Sequence, residues 1–139
     1  MTEELMDDLS FLIARANAQS IAAGNAALAE FGLKVRSYSV LTLAAAEPRP
    51  SQREIAEFLR LDPSQVVALV DELQRAGLAT REPDPRDRRA NVIGVTLAGR
   101  DLQRHAQRAL ARAERELRAD LTDAERTMLA DLLRKTAFA

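Results

Sequence analysis

Two helix starts follow one another closely in the middle of this chain, and a pair of short helices is the structure that fits them. Ser51-Gln52-Arg53-Glu54 is a capping box, a hydroxyl residue followed three positions later by glutamate. Asp62-Pro63 is the second start: aspartate as the cap, then proline at the first helical position, where its missing N–H leaves no bond unmade. The first helix therefore runs from Gln52 to Leu59, with Ile55, Ala56 and Leu59 inward, and Arg60-Leu61-Asp62 must turn. The second runs to Ala76, and Gly77 is placed to close it. Two short helices with a tight turn between them read as a helix-turn-helix.

After Gly77 the pattern changes. Leu78 to Glu82 can be a strand, Pro83-Asp84-Pro85-Arg86-Asp87-Arg88-Arg89 is a turn-rich charged tip, and Asn91 to Val95 is a β-branched second strand. A helix-turn-helix followed at once by a hairpin is a winged helix. Helices flank it. Leu5, Leu9, Leu12, Ile13 and Ala16 form one stripe of a helix that continues to Phe31 and stops at Gly32. A second helix spans Ser37 to Ala46, ended by Pro48 and Pro50. Thr96 caps a long helix to Ala119, and the capping box Thr122-Asp123-Ala124-Glu125 opens the last.

The expected fold is mainly α with a small β-hairpin wing. It forms a single domain, with a winged helix-turn-helix at 35–96 and terminal helices at 1–34 and 97–139. The terminal helices carry apolar stripes, among them Leu102, Ala106 and Leu110, then Met128, Leu129, Leu132 and Leu133. In a monomer these would expose a large hydrophobic surface, which an isologous dimer would bury. The alternative is packing of the first helix against the last two within one chain.

Composition narrows the function. The 139 residues contain no cysteine and one histidine, His105. Thiol chemistry, thiolate metal sites and multi-histidine zinc sites are excluded. No Gly-rich phosphate loop or convergent carboxylate pair is present, so no catalytic residue, metal or cofactor is expected. His105 reads as a surface or packed residue, and Asp7-Asp8 as a solvated pair. The N-terminus is acidic and no run approaches the ~18 apolar residues of a membrane span. The chain is expected in the cytoplasm, with no membrane partner. Net charge is −1, so a nucleic-acid surface must be local.

Such a surface can be located. Val66, Leu69, Val70 and Leu73 share one face of the second short helix, leaving Ser64, Gln65 and Ala68 outward. The start of a recognition helix enters the major groove, where the Gln65 amide suits adenine and Ser64 can reach a base or phosphate. Both could instead simply support the helix start. Arg86, Arg88 and Arg89 crowd the hairpin tip, with Asp87 placed to orient an arginine fork. A solvated turn of mutually neutralising charges is the plainer reading. Ser37, Ser51 and Gln52 are candidates to hold phosphates near a helix N-terminus, and ordinary capping explains Ser51 equally well. A winged-helix protein–protein interaction module, without direct DNA binding, is the alternative to a DNA reader.

Leu61-Asp62-Pro63-Ser64-Gln65-Val66-Val67-Ala68-Leu69-Val70-Asp71-Glu72-Leu73, the wing Asp84-Pro85-Arg86-Asp87-Arg88-Arg89-Ala90 and Val95-Thr96-Leu97-Ala98-Gly99-Arg100 together resemble the multiple antibiotic resistance regulator (MarR) family over nearly the whole chain. The resemblance implies a homodimeric transcription regulator, most simply a repressor. It would bind a pseudo-palindromic duplex and be released by a small anionic or phenolic effector. It also implies Arg89 in the minor groove, braced by Asp87, and an effector pocket between dimerisation helices and winged helix, with Phe11, Arg15 and Tyr38 as lining candidates. The chain departs from the family at Val67 and Ala68, where many members carry a hydroxyl residue and an arginine. An arginine–guanine contact from position 68 is impossible, which shifts weight onto DNA shape.

Overall fold

The computed structural model describes residues 2–139. Helix α1 (Glu3–Met6) and α2 (Leu9–Leu28) replace the single N-terminal helix expected from the sequence. The break is chemical. The Asp8 side chain accepts the Phe11 backbone N–H at 3.1 Å and so starts a new helix; it is a cap rather than half of a solvated pair. A short 3-10 turn, Ala29–Phe31, follows, and Gly32 closes it in the left-handed region at φ 69°.

Helix α3 spans Val35–Ala44. Helices α4 (Gln52–Leu59) and α5 (Pro63–Arg75) start where the two caps place them. Strand β1 (Ala79–Asp84) pairs antiparallel with β2 (Asp87–Val95), from Ala79 opposite Val95 to Asp84 opposite Asp87. The strands are longer than expected. Pro83 still pairs with Asn91, and Arg88 and Arg89 lie within β2, so only Pro85 and Arg86 remain between the strands. A two-stranded sheet consists of edges alone, where proline is tolerated. Helix α6 (Leu97–Leu117) ends two residues before the expected Ala119, and α7 (Asp123–Ala137) begins at the Thr122 cap.

Leu28, Val40, Leu41, Ile55, Val66, Val70 and Ile93 are wholly buried and come from α2, α3, α4, α5 and β2. One core thus ties the hairpin to the helix pair, and each such side chain contributes about 1.5–3 kcal/mol by leaving water. A second tie runs through the backbone, where the Ile93 N–H donates to the Pro50 carbonyl at 2.9 Å. The terminal helices differ. Helix α6 packs along α2, but α7 buries none of its residues. Leu5, Met6, Leu9, Leu12 and Ile13 at one end, and Met128, Leu132, Leu133 and Phe138 at the other, are all exposed.

Candidate nucleic-acid interface

The start of α5 is solvent-facing, with Ser64, Gln65, Val67 and Ala68 exposed and Val66, Val70 and Leu73 buried beneath them. Ser64 and Gln65 both serve the helix start. The Gln65 Oε1 accepts the Asp62 backbone N–H at 3.0 Å, and the Ser64 hydroxyl donates to Asp62 Oδ2 at 3.1 Å. The two Nε2 donors of Gln65 remain, but bidentate recognition of adenine requires its oxygen to leave the cap.

In the wing, Asp87 Oδ1 accepts the backbone N–H of Arg89 at 2.9 Å. The brace on Arg89 is therefore through the main chain. The arginine fork expected at Asp87 is instead at Asp84, which is 5% exposed. Its two oxygens lie 3.2 Å from Arg86 Nε and 3.4 Å from Arg86 Nη2. The Arg86 backbone N–H, then its guanidinium, holds the Asp84 carboxyl below the usual carboxylate range, outweighing the opposing effect of burial. The same guanidinium reaches Glu54 Oε1 at 3.2 Å, while Glu54 Oε2 accepts the Ser51 N–H at 3.0 Å. Arg86 thus ties the wing tip to the capping box of α4. Arg88 and Arg89 are exposed, and neither forms an ion pair among the described residues.

The three phosphate candidates are engaged inside the fold. Ser51 is buried, and its hydroxyl accepts the Glu54 N–H at 3.1 Å. Ser37 is buried, accepting the Lys34 N–H at 2.9 Å and donating to the Lys34 carbonyl at 3.1 Å. Gln52 Oε1 accepts from Arg81 Nε at 2.7 Å. Here structure and sequence expectation part: these side chains hold the framework, and the two serine hydroxyls do not face outward.

Spacing alone does not mark Arg81, Arg53 or Arg60 as site residues. Arg53 and Arg60 border a groove between α4, the interhelical turn and β2, together with Gln52, Asn91 and Arg89. Arg60 holds the turn in the left-handed region at φ 54°, where a non-glycine residue is strained. Its signal was the position itself, the one residue that must reverse the chain between two capped helices. At the other end of the hairpin, the Thr96 hydroxyl donates to the Gly77 carbonyl at 2.7 Å and accepts the Gly99 N–H at 3.0 Å. This bonding accounts for the Thr-x-x-Gly spacing after the wing.

Phe11 and Tyr38 are half-buried and Arg15 is exposed, and none of them lines the grooves beside α4 and α5. His105 is exposed, with Nδ1 2.9 Å from the Asp101 carbonyl. Among the described residues no cluster could hold a metal, and no helix is long and apolar enough to cross a membrane.

A sequence profile of the MarR family matches residues 31–90, from the end of the first helical segment through the wing arginines. A MarR-family transcriptional regulator from Rhodococcus sp. RHA1 is 40% identical and superposes with a TM-score of 0.92, over 96% of this chain and 94% of that one. The chain belongs to the MarR family. Within that family it is also similar to CouR from Rhodococcus jostii RHA1 bound to p-coumaroyl-CoA, at 41% identity and a TM-score of 0.85, over 96% and 94% of the two chains. A CouR repressor bound to a 23-mer DNA duplex is 31% identical with a TM-score of 0.88, over 96% and 95% of the two chains. The matches to curated relatives span only 59% and 62% of those proteins' lengths. Against the family pattern, Val67 and Ala68 both stand exposed on α5, so the surface that would carry the missing hydroxyl and arginine is present and apolar.

Proposed function

We propose that two copies of this chain form a two-fold dimer that binds a pseudo-palindromic duplex in the cytoplasm and represses transcription. A small anionic or phenolic effector releases it. The observation that carries this reading is the pair of exposed cations Arg88 and Arg89 on β2, without an ion pair among the described residues and beside the open N-terminal face of α5. Cations held on a hairpin suit a narrow minor groove, and the start of α5 suits the neighbouring major groove. Arg60 adds phosphate-facing charge along the groove between them, where Arg53 is paired with Glu57 at 3.1 Å. A relative 31% identical that is bound to a 23-mer duplex supports DNA as the ligand. Asp87 acts by fixing the Arg89 backbone. Gln65 and Ser64 read bases once the Asp62 cap loosens, while Ser37, Ser51 and Gln52 support the phosphate-facing surface from within the fold.

The dimer rests on the open apolar faces of α1, α2 and α7, which a second copy would cover. It would space two α5 helices about one DNA turn, ~34 Å, apart. The effector pocket forms between those helices and the winged helix, with Phe11, Arg15 and Tyr38 on its wall. Because a relative 41% identical is bound to p-coumaroyl-CoA, an aromatic acyl-CoA thioester is the effector class to test first. On this reading the chain binds and releases and does no catalysis.

The test is sedimentation velocity and fluorescence anisotropy with the duplex upstream of its own gene, with and without p-coumaroyl-CoA. Two chains per duplex, lost on adding the thioester but not free CoA, is the expected result. One chain per duplex, or no complex, contradicts the reading.

A further inference from the structure

We propose that Arg81 is a positioning residue that locks the wing to α5, and that discrimination between DNA sequences depends on this lock. The inference rests on the DNA-binding reading above and deepens it.

Arg81 lies in the middle of β1, opposite Ile93 of β2. Its guanidinium reaches four groups on two helices. Nε donates to Gln52 Oε1 of α4 at 2.7 Å, and Nη2 to the Val67 carbonyl of α5 at 3.2 Å. Nη1 donates to Gln74 Oε1 at 2.9 Å and lies 2.8 Å from Asp71 Oδ1. Val67, Asp71 and Gln74 recur at i, i+4 and i+7, so the guanidinium grips one ridge of α5 over two turns. Three of the four partners are neutral. Charge neutralisation alone would need Asp71 and nothing else. A rigid planar group with five donors is what satisfies all four, and an ammonium does not. The side chain is 19% exposed, so its charge is turned into the protein and away from a phosphate.

The consequence concerns geometry. A recognition helix and a wing that read different grooves must keep a fixed angle if both are to reach their bases in one complex. Phosphate contacts tolerate a change in that angle better than base contacts do. Loosening the lock therefore weakens the specific complex selectively.

The experiment compares wild type, Arg81→Lys, Asp71→Asn and Gln74→Ala. Anisotropy is measured over a salt series on the duplex that wild type enriches from a randomised library, and on a scrambled duplex of the same composition. The ratio of the two affinities should fall about tenfold or more in Arg81→Lys, and by less in the other two. The salt dependence on the scrambled duplex should stay at its wild-type value. An unchanged ratio in Arg81→Lys overturns the lock. So does an equal loss on both duplexes with a shallower salt dependence, which would make Arg81 a phosphate contact. Circular dichroism melting reports whether Arg81→Lys folds. If it does not, the half-exposed Asp71 and the exposed Gln74 decide, and an unchanged ratio in both variants overturns the lock. If wild type enriches no sequence at all, the DNA reading falls and the lock falls with it, whereas a discriminating wild type beside a discriminating Arg81→Lys removes the lock alone.

Discussion

The carboxylate of Asp84, 5% exposed, faces the guanidinium of Arg86 at 3.2 Å and also accepts the Arg86 backbone N–H at 2.9 Å. Because these bonds favour the charged form, the folded pKa of Asp84 lies below the ordinary 3.8. A depressed carboxylate stabilises the fold above its unfolded pKa, and that contribution is lost as pH falls through the folded value. The wing tip should therefore be indifferent to pH from neutrality down to about 4 and loosen below it. Hydrogen exchange at Arg86 and Asp87, followed across that range, should show this in wild type and already at neutral pH in Asp84→Ala.

Gln65 separates capping from base reading. Gln65→Ala should cost roughly 0.5–1 kcal/mol by thermal melting, since the Asp62 N–H loses its acceptor. Gln65→Glu keeps an acceptor and places a negative charge at a helix N-terminus, so the melting temperature should hold or rise. Its affinity for the enriched duplex should nevertheless fall, because carboxylate oxygens cannot donate to a base and repel phosphates. Retained affinity in Gln65→Glu would leave the residue with a capping role only.

Gly99 is where α6 crosses the end of the helix-turn-helix. A Cβ there would lie 2.0 Å from the Leu78 carbonyl oxygen, which is backbone and cannot step aside. Gly99→Ala should cost about 3 kcal/mol or more in urea unfolding, through overpacking. A loss below 1 kcal/mol would mean that α6 shifts freely at its start, against the anchoring by Thr96.

Arg60 should show stability and affinity moving in opposite directions. Its left-handed conformation at φ 54° costs about 1–2 kcal/mol in a non-glycine residue, part of which glycine returns as chain entropy. Arg60→Gly should gain roughly 0.5–1 kcal/mol net and raise the melting temperature, while DNA affinity falls with the lost cation. Equal or higher affinity would remove Arg60 from the phosphate face.

What was legible in the sequence was local. Ser51 with Glu54, Thr122 with Glu125, and Asp62 with Pro63 each fix a helix start by contacts within three residues, and each start lies where expected. The break before Leu9 was hidden because the apolar stripe continues across it, and a single Asp8 side chain decides it. The wing arginines were legible as a cluster but not as individuals. Arg86 is taken up by Asp84 and by Glu54, the latter distant in sequence, and Arg88 and Arg89 form no ion pair among the described residues. The partners of Arg81 are equally non-local, so spacing carried no trace of them. Phe11, Arg15 and Tyr38 line none of the grooves beside α4 and α5, and a pocket that needed two copies would leave no pattern in one chain.

The central claim is that Arg88 and Arg89 enter the DNA interface, and the salt dependence of binding tests it most directly. Each protein–phosphate contact steepens the fall of log affinity with log salt by about 0.9. On the enriched duplex, wild type should show a steep slope. Arg88→Ala and Arg89→Ala should each bind more weakly with a slope shallower by about 2 per dimer, one lost contact from each copy. Mutant slopes and affinities equal to wild type, or a wild-type slope near zero, would contradict the account.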